Sequence, residues 1–159
     1  MSKLLILTAA VLACAAPATV LACDREAMAA NQVEKTAQCN HSAMVEATRF
    51  EKLTVAQVLH LRSAGKAQVF DANGAETRST MGVVPGAVLL TSAGNYDVTK
   101  ELPKVKDTQL IFYCYNEMCG ASHMAARRAA AAGYTRVAVM PEGIQGWRAK
   151  GQATALPQS

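Results

Sequence analysis

The sequence predicts an α/β fold with a mostly parallel central sheet and helices on both faces. Three observations carry that expectation. From Lys52 onward, short apolar runs alternate with helix-spaced segments, the pattern of strands joined by crossover helices. The run Leu110-Ile111-Phe112-Tyr113 is apolar throughout, as a strand buried on both faces must be. An alanine-rich stretch, Ser122 to Ala132, follows a short loop and stops at Gly133, which reads as a helix and its terminator.

The remaining elements follow in order. Val55, Val58, Leu59 and Leu61 have amphipathic helical spacing, with Thr54 as N-cap and Gly65 as the stop. Val69-Phe70-Asp71 is a short strand ending in an acid. Asn73-Gly74 turns the chain, and Ala75 to Thr80 reads as a helical turn. Val84-Pro85-Gly86-Ala87 is a turn into the strand Val88-Leu89-Leu90. A polar loop with Gly94-Asn95 leads to a segment around Val98 to Leu102. After the alanine-rich helix come a strand, Val137 to Met140, and a short helix, Gly143 to Lys150. Trp147 and Tyr134 read as core.

The amino terminus is different in kind. Lys3 is followed by an uncharged apolar run, Leu4 to Cys14, too short to span a bilayer, and then by small residues with Val20 and Ala22 placed for cleavage. Residues 1–22 therefore read as a signal peptide, residues 23–49 as a short helical extension, 50–152 as the globular domain and 153–159 as a C-terminal tail. Val20-Leu21-Ala22-Cys23 has two readings. It is either a lipobox, with Cys23 lipidated and anchored to a membrane, or an ordinary cleavage site that leaves Cys23 a free thiol. The expected location is the bacterial periplasm.

Composition excludes other classes. Hydrophobic residues make up 51% of the 159, a share raised by the apolar terminus and by alanine. The net charge of +4 comes from scattered basic residues, with Arg127-Arg128 the sole basic doublet, so no nucleic-acid footprint is present. The methionines are dispersed and read as packing residues rather than a copper site.

Export leaves four cysteines, Cys23, Cys39, Cys114 and Cys119. In an oxidising compartment, proximity favours Cys23–Cys39 as a structural disulfide and Cys114–Cys119 as an active-site pair. Cys39-Asn40-His41 reads as a disulfide beside a solvated histidine rather than a metal site. Cys114 is the chemical focus. It ends the central strand and faces the start of the alanine-rich helix, where unpaired N–H groups and the helix dipole favour a thiolate. Ligands of parallel sheets bind at such carboxyl ends.

Several separated motifs then agree on a family. From about Phe50 to Gly151 the chain resembles a rhodanese domain, the sulfurtransferase fold. Val69-Phe70-Asp71 looks like the family's strand ending in aspartate. Gly82-Val83-Val84-Pro85-Gly86-Ala87 is similar to its G-H-I-P-G-A segment, with Val83 where histidine is usual. Phe112-Tyr113-Cys114 resembles the strand that delivers the catalytic cysteine, Ser122 to Tyr134 the helix after the active loop, and Glu142-Gly143-Ile144-Gln145-Gly146-Trp147 the closing signature. The resemblance implies sulfane-sulfur transfer. Cys114 would be the nucleophile that forms a persulfide, and the loop Tyr115, Asn116, Glu117, Met118, Cys119 and Gly120 would cradle the sulfur with backbone N–H groups.

The loop departs from the family pattern. With Ser122 aligned to the serine that follows a typical C-x-x-G-x-R loop, this loop is two residues longer, which implies a wider pocket. It holds no arginine or lysine, and Cys119 stands where the arginine is expected. The missing cation removes an anchor for an anionic donor such as thiosulfate. Ser122, His123, Asp71 and Arg78 are candidate substrate contacts, with Arg78 a stand-in for the loop cation. Asp71 is also expected to order the backbone near the site. Glu117 would raise the pKa of Cys114.

The expected function is that of a monomeric exported sulfurtransferase. It passes sulfur from a small donor to a thiol or other thiophilic acceptor, or to a partner protein, without cofactor or metal. Two alternatives stand beside it: a thiol–disulfide protein in which Cys119 resolves Cys114, and a non-catalytic module that binds a soft metal or oxyanion through both thiolates.

Overall fold

A computed structural model describes residues 50–157. The signal segment, the 23–49 extension, Cys23 and Cys39 lie outside the described residues. The elements in chain order are β1 (Glu51–Lys52), α1 (Val55–Ser63), β2 (Ala67–Asp71), α2 (Ala75–Met81), β3 (Val88–Leu89), α3 (Val98–Glu101), β4 (Gln109–Tyr113), α4 (Ala121–Ala131), β5 (Val137–Met140) and α5 (Gly143–Ala149). All five strands form one sheet in the order β1-β5-β4-β2-β3, and every pairing is parallel.

β4 is the middle strand, buried along its whole length, as its unbroken apolar run requires. Side chains alternate across it. Leu110, Phe112 and Cys114 join a core with Phe70, Tyr96 and the Ala125, Ala126 and Ala129 face of α4. Ile111 and Tyr113 join the opposite core with Val58 of α1 and Ile144 and Trp147 of α5. This period of two is what turns Cys114 toward α4. Alanine on the inner face of α4 lets that helix lie close to the sheet.

α1 starts where the sequence predicts. Thr54 Oγ1 accepts from the Gln57 N–H, and Gln57 Oε1 accepts from the Thr54 N–H, which completes a capping box. Thr54→Ala is expected to cost about 1 kcal/mol. It should lower the urea midpoint with an unchanged slope, checked by equilibrium unfolding.

Two elements exceed the expectation. β1 consists of two exposed residues with no apolar pattern, and its existence comes from pairing with β5. α2 is a full helix of 7 residues rather than a turn, capped by Gly74 without a side-chain bond and burying none of its residues. Sequence periodicity carries no signal for either. The segment expected as a tail returns to the domain: Ala155 exchanges two backbone hydrogen bonds with Val83 at 2.9 Å, and Trp147 Nε1 donates to the Ala153 carbonyl at 2.8 Å. Among the described residues no helix is long and apolar enough to cross a membrane.

Candidate active site

The site is built at the carboxyl end of β4. The chain leaves the sheet at Cys114, runs through the loop 115–120 and enters α4 at Ala121. α5 secures the start of that loop. The Ile144 N–H donates to the Cys114 carbonyl at 2.9 Å and the Gln145 N–H to the Tyr115 carbonyl at 3.0 Å. So close an approach needs Gly143. Its φ is +61°, and a Cβ there would lie 2.4 Å from the Tyr115 carbonyl oxygen and 2.5 Å from that of Cys114. Asn116 Nδ2 donates to Gln145 Oε1 at 3.0 Å, and Asn116 Oδ1 accepts from the Met118 N–H at 3.1 Å. Gly143 and Gln145 thus hold the loop. They lie in the closing motif recognised in the sequence, but their task depends on α5 meeting β4, which no local pattern states.

Cys114 is buried, with 1% of its surface exposed. Its Sγ lies 3.0 Å from the Cys119 carbonyl oxygen and 3.4 Å from Ser122 Oγ, so the thiol proton has oxygen acceptors at hand. Burial pushes the Cys114 thiol above its ordinary pKa. The hydrogen-bonding contact with the Cys119 side chain adds to that, against a smaller opposing effect from Ser122. Burial and the Cys119 contact thus oppose the Cys114 thiolate expected from the sequence, while Ser122 at the start of α4 favours it. The Cys119 carbonyl faces the sulfur, and the Ser122 N–H is the backbone donor that bears on it.

Backbone N–H groups bear on Cys119 as well. Burial opposes its ionisation, but contact with the Cys114 thiol and the N–H groups of Tyr115 and Ala121 outweigh burial and hold it below the ordinary thiol value. Ala121 and Ser122 are the first two residues of α4, so Cys119 and Cys114 both lie at the start of that helix. Both cysteines are free thiols, Cys114 buried and Cys119 partly exposed. The extra loop length is used to fold Cys119 back beside Cys114, and it does not open a wide pocket over the first thiol. An open cleft of about 430 Å³ next to the loop is lined by Asn116, Glu117, Met118, Glu142, Gln145, Gly146 and Ala149, not by either thiol.

The other candidate contacts divide. Ser122 is buried against Cys114. His123 is partly buried, and burial followed by the charges of Arg127 and Lys52 keep its pKa below the ordinary value. Asp71 and Arg78 are committed to each other. Asp71 is fully buried and accepts from Arg78 Nε at 3.3 Å, from the Asn73 N–H at 2.6 Å and from the Tyr113 hydroxyl. Arg78 Nη2 also donates to the carbonyls of Asp71 and Leu90, at 2.9 and 2.8 Å. Tyr113 points to the face of the sheet opposite Cys114, and Asp71 bonds to it there. The pair therefore orders the end of β2, and its cation is neutralised rather than offered to an anionic donor. Among the described residues no group of three or more His, Cys, Asp or Glu side chains could hold a metal.

The model of the rhodanese-like domain matches residues 54–150. The chain belongs to that family. The sheet, the tip of β4 and the helix that follows it are its framework here. Solved structures agree at the level of the fold. A protein of unknown function from Rhodopseudomonas palustris, described as a possible tyrosine phosphatase, is 24% identical with a TM-score of 0.54, covering 66% of this chain and 84% of its own. A human single-domain sulfurtransferase is 22% identical with a TM-score of 0.52, covering 64% and 98%. A thiosulfate sulfurtransferase from Pseudomonas aeruginosa is 23% identical with a TM-score of 0.54, and the match covers 65% of this chain but 20% of that larger one. Comparison with curated proteins finds no match.

Proposed function

We propose that the protein is an exported sulfurtransferase that holds sulfane sulfur as a persulfide on Cys114. The observation that carries this reading is the place of Cys114. It stands at the tip of the central strand of a rhodanese-like domain, with Ser122 Oγ 3.4 Å from its sulfur. The names of two neighbours, both sulfurtransferases, support it. A sulfur atom is a small cargo, which suits a thiol with 1% exposure better than a large substrate would. The loop has no cation and Arg78 is occupied by Asp71, so a donor less dependent on charge neutralisation than thiosulfate is favoured. The signal-like terminus sets the reaction in the periplasm, with a small thiol or a partner protein as acceptor and the domain acting as a monomer.

The test is sulfur transfer to cyanide with inorganic polysulfide and, separately, thiosulfate as donor. Thiocyanate should form, faster with polysulfide. Absence of thiocyanate with either donor would refute the reading. A second reading, reversible oxidation of Cys114 and Cys119 to a disulfide, is favoured by one specific observation: both are free thiols, with Cys114 Sγ 3.0 Å from the Cys119 carbonyl.

A further inference from the structure

We propose that Cys119, not Cys114, is the thiolate that meets the sulfur donor, and that the sulfur then passes to Cys114. This rests on the reading of the domain as a persulfide carrier and assigns the entry point of that reaction.

The argument begins with exposure. Cys114 is sealed by its own loop, while Cys119 is partly open to solvent. Next is the direction of the hydrogen bonds. The Cys119 carbonyl lies 3.0 Å from Cys114 Sγ, an arrangement that suits a thiol, which donates, and repels a thiolate, which cannot. The Tyr115 and Ala121 N–H groups favour a Cys119 thiolate, and the Ser122 N–H favours that of Cys114 less than burial and the Cys119 contact oppose it. The pKa shifts agree in sign, with Cys119 held down and Cys114 pushed up.

The chemistry balances without an added oxidant or reductant. With a hydropersulfide donor, R–S–SH, the Cys119 thiolate attacks the terminal sulfur. An S–S bond forms to Cys119, the donor's S–S bond breaks, and RS⁻ leaves with the electron pair. The leaving thiolate takes the proton of the Cys114 thiol. The Cys114 thiolate then attacks the terminal sulfur of the Cys119 persulfide. A Cys114–S–SH forms, and Cys119 returns to its amides as a thiolate. The net change is one sulfane sulfur moved from the donor to Cys114 and one donor thiol released. Inorganic polysulfide reacts in the same way.

Two measurements on the reduced full chain test the assignment. The first is limiting alkylation of the wild type with iodoacetamide, followed by peptide mapping. Cys119 should carry severalfold more label than Cys114, because it is the exposed thiol of the two. Its labelling rate should rise with pH at a midpoint below about 8.5, the ordinary thiol value. Label appearing first on Cys114 would overturn the proposal, and this arm needs no variant to fold. The second is the rate of sulfur loading from inorganic polysulfide in Cys119→Ser. Loading of Cys114 should slow severalfold, because the donor must then reach the buried thiol directly. Loading at the wild-type rate would overturn the entry role while leaving Cys114 the carrier. A wild type that never holds sulfane sulfur on Cys114 would instead remove the carrier reading itself.

Discussion

Cys114→Ser is expected to abolish stable sulfur loading and to cut sulfur transfer to cyanide to the little that passes through a transient Cys119 persulfide. A serine hydroxyl cannot hold sulfane sulfur, and no other residue at the tip of β4 offers a buried resting place for it. The folded state should survive, because Ser122 Oγ at 3.4 Å and the Cys119 carbonyl at 3.0 Å can both bond a hydroxyl. In this variant a Cys119 persulfide can form but has no acceptor thiol. It should be exposed and short-lived. Thiocyanate assays and peptide mapping check both points. Turnover at the wild-type rate in Cys114→Ser would be incompatible with a persulfide on that residue.

Arg78→Met is expected to lower stability by about 3 kcal/mol, the scale for removing one partner of a buried ion pair. The variant leaves the fully buried Asp71 carboxylate without its cation and the carbonyls of Asp71 and Leu90 without their donor. Asp71 would keep bonds from the Asn73 N–H and the Tyr113 hydroxyl, which limits the loss. Burial and the neighbouring Asp71 push the Tyr113 pKa well up, so its hydroxyl remains a donor at any ordinary pH. Equilibrium unfolding in urea measures the change. Adding Asp71→Asn to Arg78→Met should cost less than the sum of the two single changes, because the residues share one interaction. Strict additivity would show that the pair is not coupled.

Much of the framework is legible before any coordinates. Unbroken apolarity from Leu110 to Tyr113 marks the buried middle strand, and Thr54 with Gln57 marks the start of α1, because these signals depend on near neighbours. The order of the strands is not legible, since β1 is made of two exposed residues whose pairing partner lies far along the chain. The site divides along the same line. Its position at Cys114 follows from the strand–loop–helix pattern. The roles of the two thiols do not. They depend on the folded loop, where the Cys119 carbonyl turns toward Cys114 and backbone N–H groups bear on both thiols, that of Ser122 on Cys114 and those of Tyr115 and Ala121 on Cys119. A one-dimensional pattern records that a second cysteine replaces an expected arginine. It does not record whether that cysteine takes over the cradle. Arg78 shows a related limit. Its charge is visible in sequence, but its full neutralisation by Asp71 is visible only in three dimensions.

The central claim is that the two thiols carry sulfur rather than exchange electrons. Intact mass measurement of the reduced wild-type protein, after brief exposure to inorganic polysulfide and removal of excess donor, tests it most directly. The account predicts a gain of one sulfur atom, mapped to the peptide containing Cys114 and removed by cyanide or reductant. A loss of two hydrogen atoms with no sulfur gained, mapped to a Cys114–Cys119 disulfide, would contradict it.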